Sequence, residues 1–179
     1  MRIVKLTEQS KANILSDLLK RDPNQYVDYA DSVQVIVDQV KEYGDEAVFS
    51  YTRQFDGTEI TAETVRVTDR EIQEALAYVD PELINVMKKS MKNIREYHEK
   101  QKQYSWFDSK PDGTILGQNV SPLDSVGVYV PGGKAVYPSS VLMNIIPAKV
   151  AGVGRVIMVT PPDKEGKVNP VTLIAAHLA

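Results

Sequence analysis

The sequence predicts an α/β protein: a helix-rich first part followed by a parallel βαβα unit. Three observations carry this. Residues 126–179 hold five basic and two acidic side chains, whereas residues 1–125 hold 16 and 22. So charge-poor a segment marks a more buried, sheet-centred unit, with a boundary near Pro122 to Val126. The apolar residues recur at helical spacing before that boundary and change period after it. Finally, strand, glycine-rich turn, helix and strand follow one another within about 35 residues, an order that implies parallel pairing.

Each element has its own signal. Ile14, Leu15, Leu18 and Leu19 predict a helix over 8–20, stopped by Asp22-Pro23. Val33, Ile36, Val37 and Val40 form the next apolar face, ending before Gly44. Asp45 is suited to cap a helix through about Gln54, with Ala47, Val48 and Tyr51 inward and Asp56-Gly57 closing it. Val65 to Val67 reads as a short strand. Thr68 and Glu71 form a capping box for a helix over 69–79. Asp80-Pro81-Glu82 supplies a cap, a proline at the first helical position and an acid in the first turn. The helix it opens is predicted to run to about Gln103, with Leu83, Met87, Met91 and Ile94 on one face.

Beyond it, Thr114 to Val120 and Ser125 to Val130 read as strands, and Pro131-Gly132-Gly133 breaks the second. Val141 to Ala151 reads as a helix kinked at Pro147 and capped by Gly152. RVIMVT over 155–160 reads as a buried strand, Pro161-Pro162 turns the chain, and Asn169-Pro170 opens a last helix. A two-stranded parallel pair cannot cover both its faces, so a partner or further polypeptide is expected against it.

Composition narrows the function classes. A net charge of −3, 42% apolar and 25% charged residues, ten Gly and ten Pro are ordinary globular proportions and argue against disorder. The near-neutral charge leaves no electrostatic footprint for nucleic acid. No apolar run approaches the roughly 20 residues of a membrane span. The charged start lacks the pattern of a signal peptide. Without cysteine there is no disulfide framework, thiol nucleophile or cysteine-based zinc site. These features predict a cytoplasmic protein with no nucleic-acid or membrane partner.

The turn VPGGKAVYPSS after the strand 125–130 is the most suggestive segment. Ligands of open α/β sheets sit at the carboxyl ends of strands, against the next helix. Gly132 and Gly133 would let backbone approach a ligand, while Tyr129, Ser139 and Ser140 offer a ring face and hydroxyls. The turn is neither GxGxxG nor GxxxxGK[ST], since Ala follows Lys134. As a bare pattern, a tight turn followed by a serine N-cap is the favoured reading. His98, beside Tyr97, reads as a partly buried structural histidine, and His177 lies at an end where order is not expected. Two distant histidines do not make a zinc site. Glu96 and Glu99 with Lys92 and Lys100 read as a solvated face. Trp106-Phe107 reads as a packing anchor and Phe55 as core.

The run SVGVYVPGGKAVYPSSVLMNIIPAKVAGVGRVIMVTPP (125–162) resembles the signature region of histidinol dehydrogenases. YGDEAVFSYTRQFDG (43–57) and NIREYHEKQK (93–102) resemble two further blocks of that family, in the same order. The resemblance spans roughly residues 28–179. It implies the N-terminal portion of an NAD-dependent, zinc-containing homodimer that oxidises L-histidinol to L-histidine by two hydride transfers, in histidine biosynthesis. The fold it implies is α/β, a helical N-terminal region plus an incomplete Rossmann-like parallel βαβα unit. Residues 1–27 would be an N-terminal helical arm and 28–125 the helix-rich start of a first α/β domain. Residues 126–179 would be the first half of a second, NAD-contacting domain.

By the same resemblance, Tyr129 and Pro131 are cofactor-binding residues. Phe55 would reach the cofactor of the other subunit, which moves it from core to interface. The zinc ligands and the proton-transferring Glu-His pair of the family match nothing before Ala179. No catalytic or metal residue is therefore assigned here, and the isolated chain is expected to be inactive. A non-catalytic nucleotide-binding or assembly module, or one half of a split enzyme, are the alternatives.

Overall fold

A computed structural model describes residues 5, 7–19, 27–132 and 136–179. Asp22-Pro23, Gly133 and Lys134 lie outside these residues, as do the side chains of Leu15, Leu18 and Leu19. The chain forms two compact units, Met1–Val48 and Phe49–Ala179.

The first unit is helical. Helix α1 (Glu8–Leu19) follows a local exchange in which Thr7 N–H donates to Ser10 Oγ (2.7 Å) and Ser10 N–H donates to Thr7 Oγ1 (3.1 Å). On α2 (Val27–Tyr43), Ile36 and Val40 are half-buried, whereas Val33 and Val37 are exposed, so the predicted apolar face is only half used. Gly44, at φ 58°, turns the chain into α3 (Asp45–Phe55), where Asp45 is the first helical residue rather than its cap. Ala47 is buried and Tyr51 half-buried, but Val48 is exposed.

In the second unit, the expected strand at Val65–Val67 is absent. Thr64 and Val65 N–H both donate to the Thr61 carbonyl (3.1 and 2.8 Å), winding the segment into turns instead. Helix α4 (Asp69–Tyr78) starts with the predicted capping box: Glu71 N–H donates to Thr68 Oγ1 (3.3 Å) and Thr68 N–H to Glu71 Oε2 (2.8 Å). Helix α5 (Pro81–Glu99) is capped by Asp80, whose Oδ1 accepts from Glu82 N–H (2.8 Å). It ends at Glu99, short of the predicted Gln103, and turns inward Ile84, Met87, Met91 and Ile94, with Leu83 left at the surface.

Strands β1 (Trp106–Ser109) and β2 (Ile115–Gln118) form an antiparallel hairpin, with Trp106 opposite Gln118 and Ser109 opposite Ile115. Only β2 is anticipated by the sequence. Trp106 and Phe107 are exposed on β1 and are not the packing anchors expected of them.

Strands β3 (Ser125–Tyr129) and β4 (Arg155–Val159) pair in parallel, Tyr129 opposite Val159, joined by α6 (Pro138–Ala151) and followed by α7 (Pro170–Leu178). Helix α6 runs unbroken through Pro147 and closes on Gly152, whose φ of 93° only glycine adopts freely. Helix α6 packs on the sheet, α7 packs against α6, α5 against α6 and α4 against α7. Val130, Val141, Ile146 and Ile174, essentially inaccessible, form the centre of this core. Burying each such side chain favours folding by roughly 1.5–3 kcal/mol. Strand β4 is not the buried strand predicted: Val156 and Met158 turn to the core, but Ile157 and Val159 face out, exposed.

Candidate functional site

The candidate site is built at the carboxyl ends of β3 and β4. Parallel pairing extends one residue past β3, where Val130 N–H donates to the Val159 carbonyl (3.0 Å). Val130 is completely buried, which anchors the strand end. Strand alternation then sends its neighbour the other way, and Tyr129 is 64% exposed. Pro131 follows at once, so Tyr129 and Pro131 share one strand end as the sequence implies.

Gly132 is held in a close packing contact. A Cβ there would lie 2.9 Å from the Pro161 carbonyl oxygen and 3.1 Å from Thr160 Oγ1. The backbone there runs close against the β4–α7 connection, and only glycine permits that closeness. The serine N-cap is also corrected: Tyr137 is the cap residue of α6, without a side-chain cap bond, and Pro138 is the first helical residue. Ser139 and Ser140 lie inside the first turn, where Ser140 N–H donates to the Tyr137 carbonyl (3.0 Å).

A cavity of about 140 Å³ separates the β3–α6 and β4–α7 connections, with Gly132, Val136, Thr160, Asp163, Asn169 and Thr172 in its wall. Of these, the sequence marked Gly132 as a candidate site residue and Asn169 only as a helix start. Asp163 and Thr172 carry no motif, and their relation to Gly132 depends on the sheet register.

Phe55 is 63% exposed at the end of α3, its ring stacked on Tyr51 at 5.6 Å. It is not core, as its apolar spacing alone suggested. Among the described residues its ring partner is Tyr51, and no ring contact links it to Tyr129. His98 is half-buried and packs edge-on to Tyr97 at 5.3 Å, a structural position, while lining a larger cavity of about 690 Å³ with Tyr104 and Pro147. His177 is exposed on α7, which continues to Leu178, so the helix is formed where order was not expected. Lys92 and Glu96 pair at 3.7 Å in solvent, as the charge pattern predicts. Among the described residues, no three His, Asp or Glu side chains come together in a group able to hold a metal ion. No helix among them is long and apolar enough to cross a membrane.

The electrostatics lie mostly away from this site. The Thr68 backbone N–H and hydroxyl hold the Glu71 carboxyl below its ordinary value, with a smaller contribution from Lys167. Asp112 is lowered chiefly by the Thr114 N–H.

Parallel strands joined through a helix define a Rossmann-like α/β unit, incomplete at two strands. Comparison with known proteins narrows this to one family. The profile for histidinol dehydrogenase matches residues 19–179, and the chain belongs to that oxidoreductase family. Histidinol dehydrogenase of Heliobacterium mobile is 53% identical over 150 residues, covering 83% of this chain and 35% of the relative. That of Bacillus subtilis is 54% identical over 145 residues, 81% and 34%. The crystal structure of histidinol dehydrogenase from Elizabethkingia anophelis superposes with a TM-score of 0.77 at 31% identity, covering 99% of this chain and 36% of that one. The chain spans about a third of the length of the curated relatives it matches.

Proposed function

We propose that this chain is the N-terminal portion of an NAD-dependent, zinc-containing histidinol dehydrogenase that converts L-histidinol to L-histidine. In this reading the whole enzyme is a cytoplasmic homodimer of histidine biosynthesis. Residues 1–27 serve as a helical arm, 28–125 open a first α/β domain, and 126–179 form the first half of the cofactor-contacting domain. The observation that carries the reading is the family match over 19–179 together with Tyr129, exposed where α/β sheets bind their ligands.

The residues at the end of β3 suit a dinucleotide. Bound NAD supplies a nicotinamide ring that accepts the hydride. Tyr129 offers a ring face and a phenol to position the cofactor, held by the buried Val130 beside it. Pro131 and Gly132 shape the loop by closing it onto Thr160-Pro161. Phe55, exposed on α3, is free to contact a cofactor bound to a second copy.

Zinc is a different matter. The described residues hold no cluster fitted to it, so no step through a metal is derived from this chain. Removing a hydride from an alcohol also needs a base for the hydroxyl proton, and family resemblance puts that base outside these residues. The isolated chain is accordingly proposed to bind NAD weakly and to turn nothing over.

Calorimetric titration of the chain and of Tyr129→Ala with NAD tests this. Binding weaker than about 10 μM, about −7 kcal/mol, and further weakened in Tyr129→Ala is the expected result. Tighter binding lost in Tyr129→Ala would favour a stand-alone nucleotide-binding module. Histidinol-dependent NAD reduction by the chain alone would overturn the proposed inactivity.

A further inference from the structure

Tyr129 is exposed, and its phenol makes no hydrogen bond among the described residues. Its ring is therefore placed by the backbone at the end of β3. Two contacts hold that backbone on the side of β4. Val130 N–H donates to the Val159 carbonyl (3.0 Å). Gly132 then lies so close to the next connection that a Cβ would meet the Pro161 carbonyl oxygen at 2.9 Å. The first contact fixes the register of the strand end, and the second fixes how far it leans toward β4.

The surface that Gly132 meets is stiff. Pro161 and Pro162 follow Thr160 at the end of β4, and each ring fixes a backbone angle. Just beyond, Asp163 N–H donates to the Lys167 carbonyl (2.8 Å), and Asp163 Oδ1 accepts from Glu165 and Lys167 N–H at 2.9 Å each. Gly166, at φ 77°, completes this turn, and a Cβ there would lie 3.4 Å from Oγ1 of the buried Thr58. The connection is thus tied by two prolines at its start and against the segment after α3 at its tip. The strand end adapts to the connection rather than the reverse.

We propose that Gly132 and Pro161 are positioning residues for the cofactor: Pro161 is a stop, and the missing side chain of Gly132 lets the Tyr129–Gly132 segment rest against it. The proposal rests on the reading that Tyr129 contacts NAD, and adds to it what sets the ring in place. A side chain at 132 would have to back off by about 0.5 Å to reach an ordinary contact distance, and the displacement would be carried three residues back to Tyr129. A binding constellation tolerates a misplacement of only about 0.5 Å, so one methyl group here is enough to spoil it. Gly127 supplies the contrast. It lies on β3 two residues before Tyr129, yet nothing stands within 4 Å of a Cβ there.

The test is an amide-resolved NMR titration of the 179-residue chain and its variants with NAD. Gly132→Ala is expected to weaken NAD binding about tenfold, whereas Gly127→Ala binds as wild type does. Pro161→Gly loosens the stop without crowding it and is expected to weaken binding about threefold. It stands in for Gly132→Ala if that variant fails to fold by circular dichroism. In a Tyr129→Ala background both changes are expected to cost nothing further, because a residue that acts through Tyr129 has nothing left to place. If the folded variants bind NAD as wild type does, or lose as much without Tyr129 as with it, the contact is packing only. The proposal then fails while the cofactor reading stands. If NAD leaves the Tyr129 amide of the wild type unmoved, the cofactor reading fails and takes the proposal with it.

Discussion

The two faces of the β3–β4 sheet are made from the same ten residues and could hardly differ more. On one face Val128, Val156 and Met158 join the core beneath α6, and Val130 just beyond is completely buried. On the other, Tyr129, Ile157 and Val159 are 64%, 44% and 55% exposed. The residue types are alike, and strand alternation alone puts them on opposite sides. The covered face is where stability resides. The bare face has the apolar character of a parallel sheet buried on both sides but nothing over it among the described residues. Its exposed tyrosine stands at the strand end where the candidate site lies. An apolar residue in a strand thus says that a face can be buried, not that it is.

This contrast can be broken at several points. The largest effect is expected from Ile146→Ala in the centre of α6, where the lost side chain leaves a cavity under the sheet. A destabilisation of about 2–5 kcal/mol should appear as a lower urea midpoint. A loss below about 1 kcal/mol would mean that the covered face is packed no better than the bare one.

Gly152→Ala comes next. Its φ of 93° is strained for any residue with a Cβ, although Pro122 at 3.6 Å leaves ordinary room for one. The expected cost is about 1 kcal/mol, read from the same unfolding curves.

A similar loss, about 1 kcal/mol, is expected of Thr68→Ala, which removes the capping box of α4. Here pH sharpens the test. Thr68 holds the Glu71 carboxyl below its ordinary value of 4.5, so Glu71 binds its proton less readily folded than unfolded. The stability this adds is present above 4.5 and is lost as pH falls through the lowered folded value. The gap between wild type and Glu71→Gln should therefore narrow between neutral and acid urea titrations. A gap that widens on acidification would reverse the sign.

The smallest effect belongs to the bare face. Ile157→Thr should change the stability of the isolated chain by no more than about 0.5 kcal/mol. In a longer family member that covers this face, the same substitution should cost several times more, a ratio measurable on the two proteins side by side.

What could be read from the sequence follows a physical line. The Thr68–Glu71 box, the Asp80 and Asn169 caps and the Gly152 stop all involve partners within a few residues, so their chemistry is written locally. Val65–Val67 has strand propensity but no strand beside it, and Thr61 captures its backbone instead. Strand β1 was missed for the converse reason: Trp106 becomes a strand residue because Gln118 lies opposite. Phe55 shows how little apolarity alone decides, since its ring rests on Tyr51 at the surface. At the candidate site Tyr129 and Pro131 were legible as a strand-end pair. Thr172 was not, because its place in the cavity wall depends on how α7 returns beside the strand ends.

The sequence by itself determined the capped starts of α4, α5 and α7, the stop of α6 at Gly152, that β3 and β4 run parallel, and, through one long idiosyncratic string, the family. These depend on backbone preferences and on hydrogen bonds between near neighbours. Only the tertiary structure decided which side of the strands is covered, that Gly132 lies close against Thr160-Pro161, and that Asp163, Asn169 and Thr172 border one cavity. Those relations join residues distant along the chain, and they exist only once the parallel register has brought the two strand ends together.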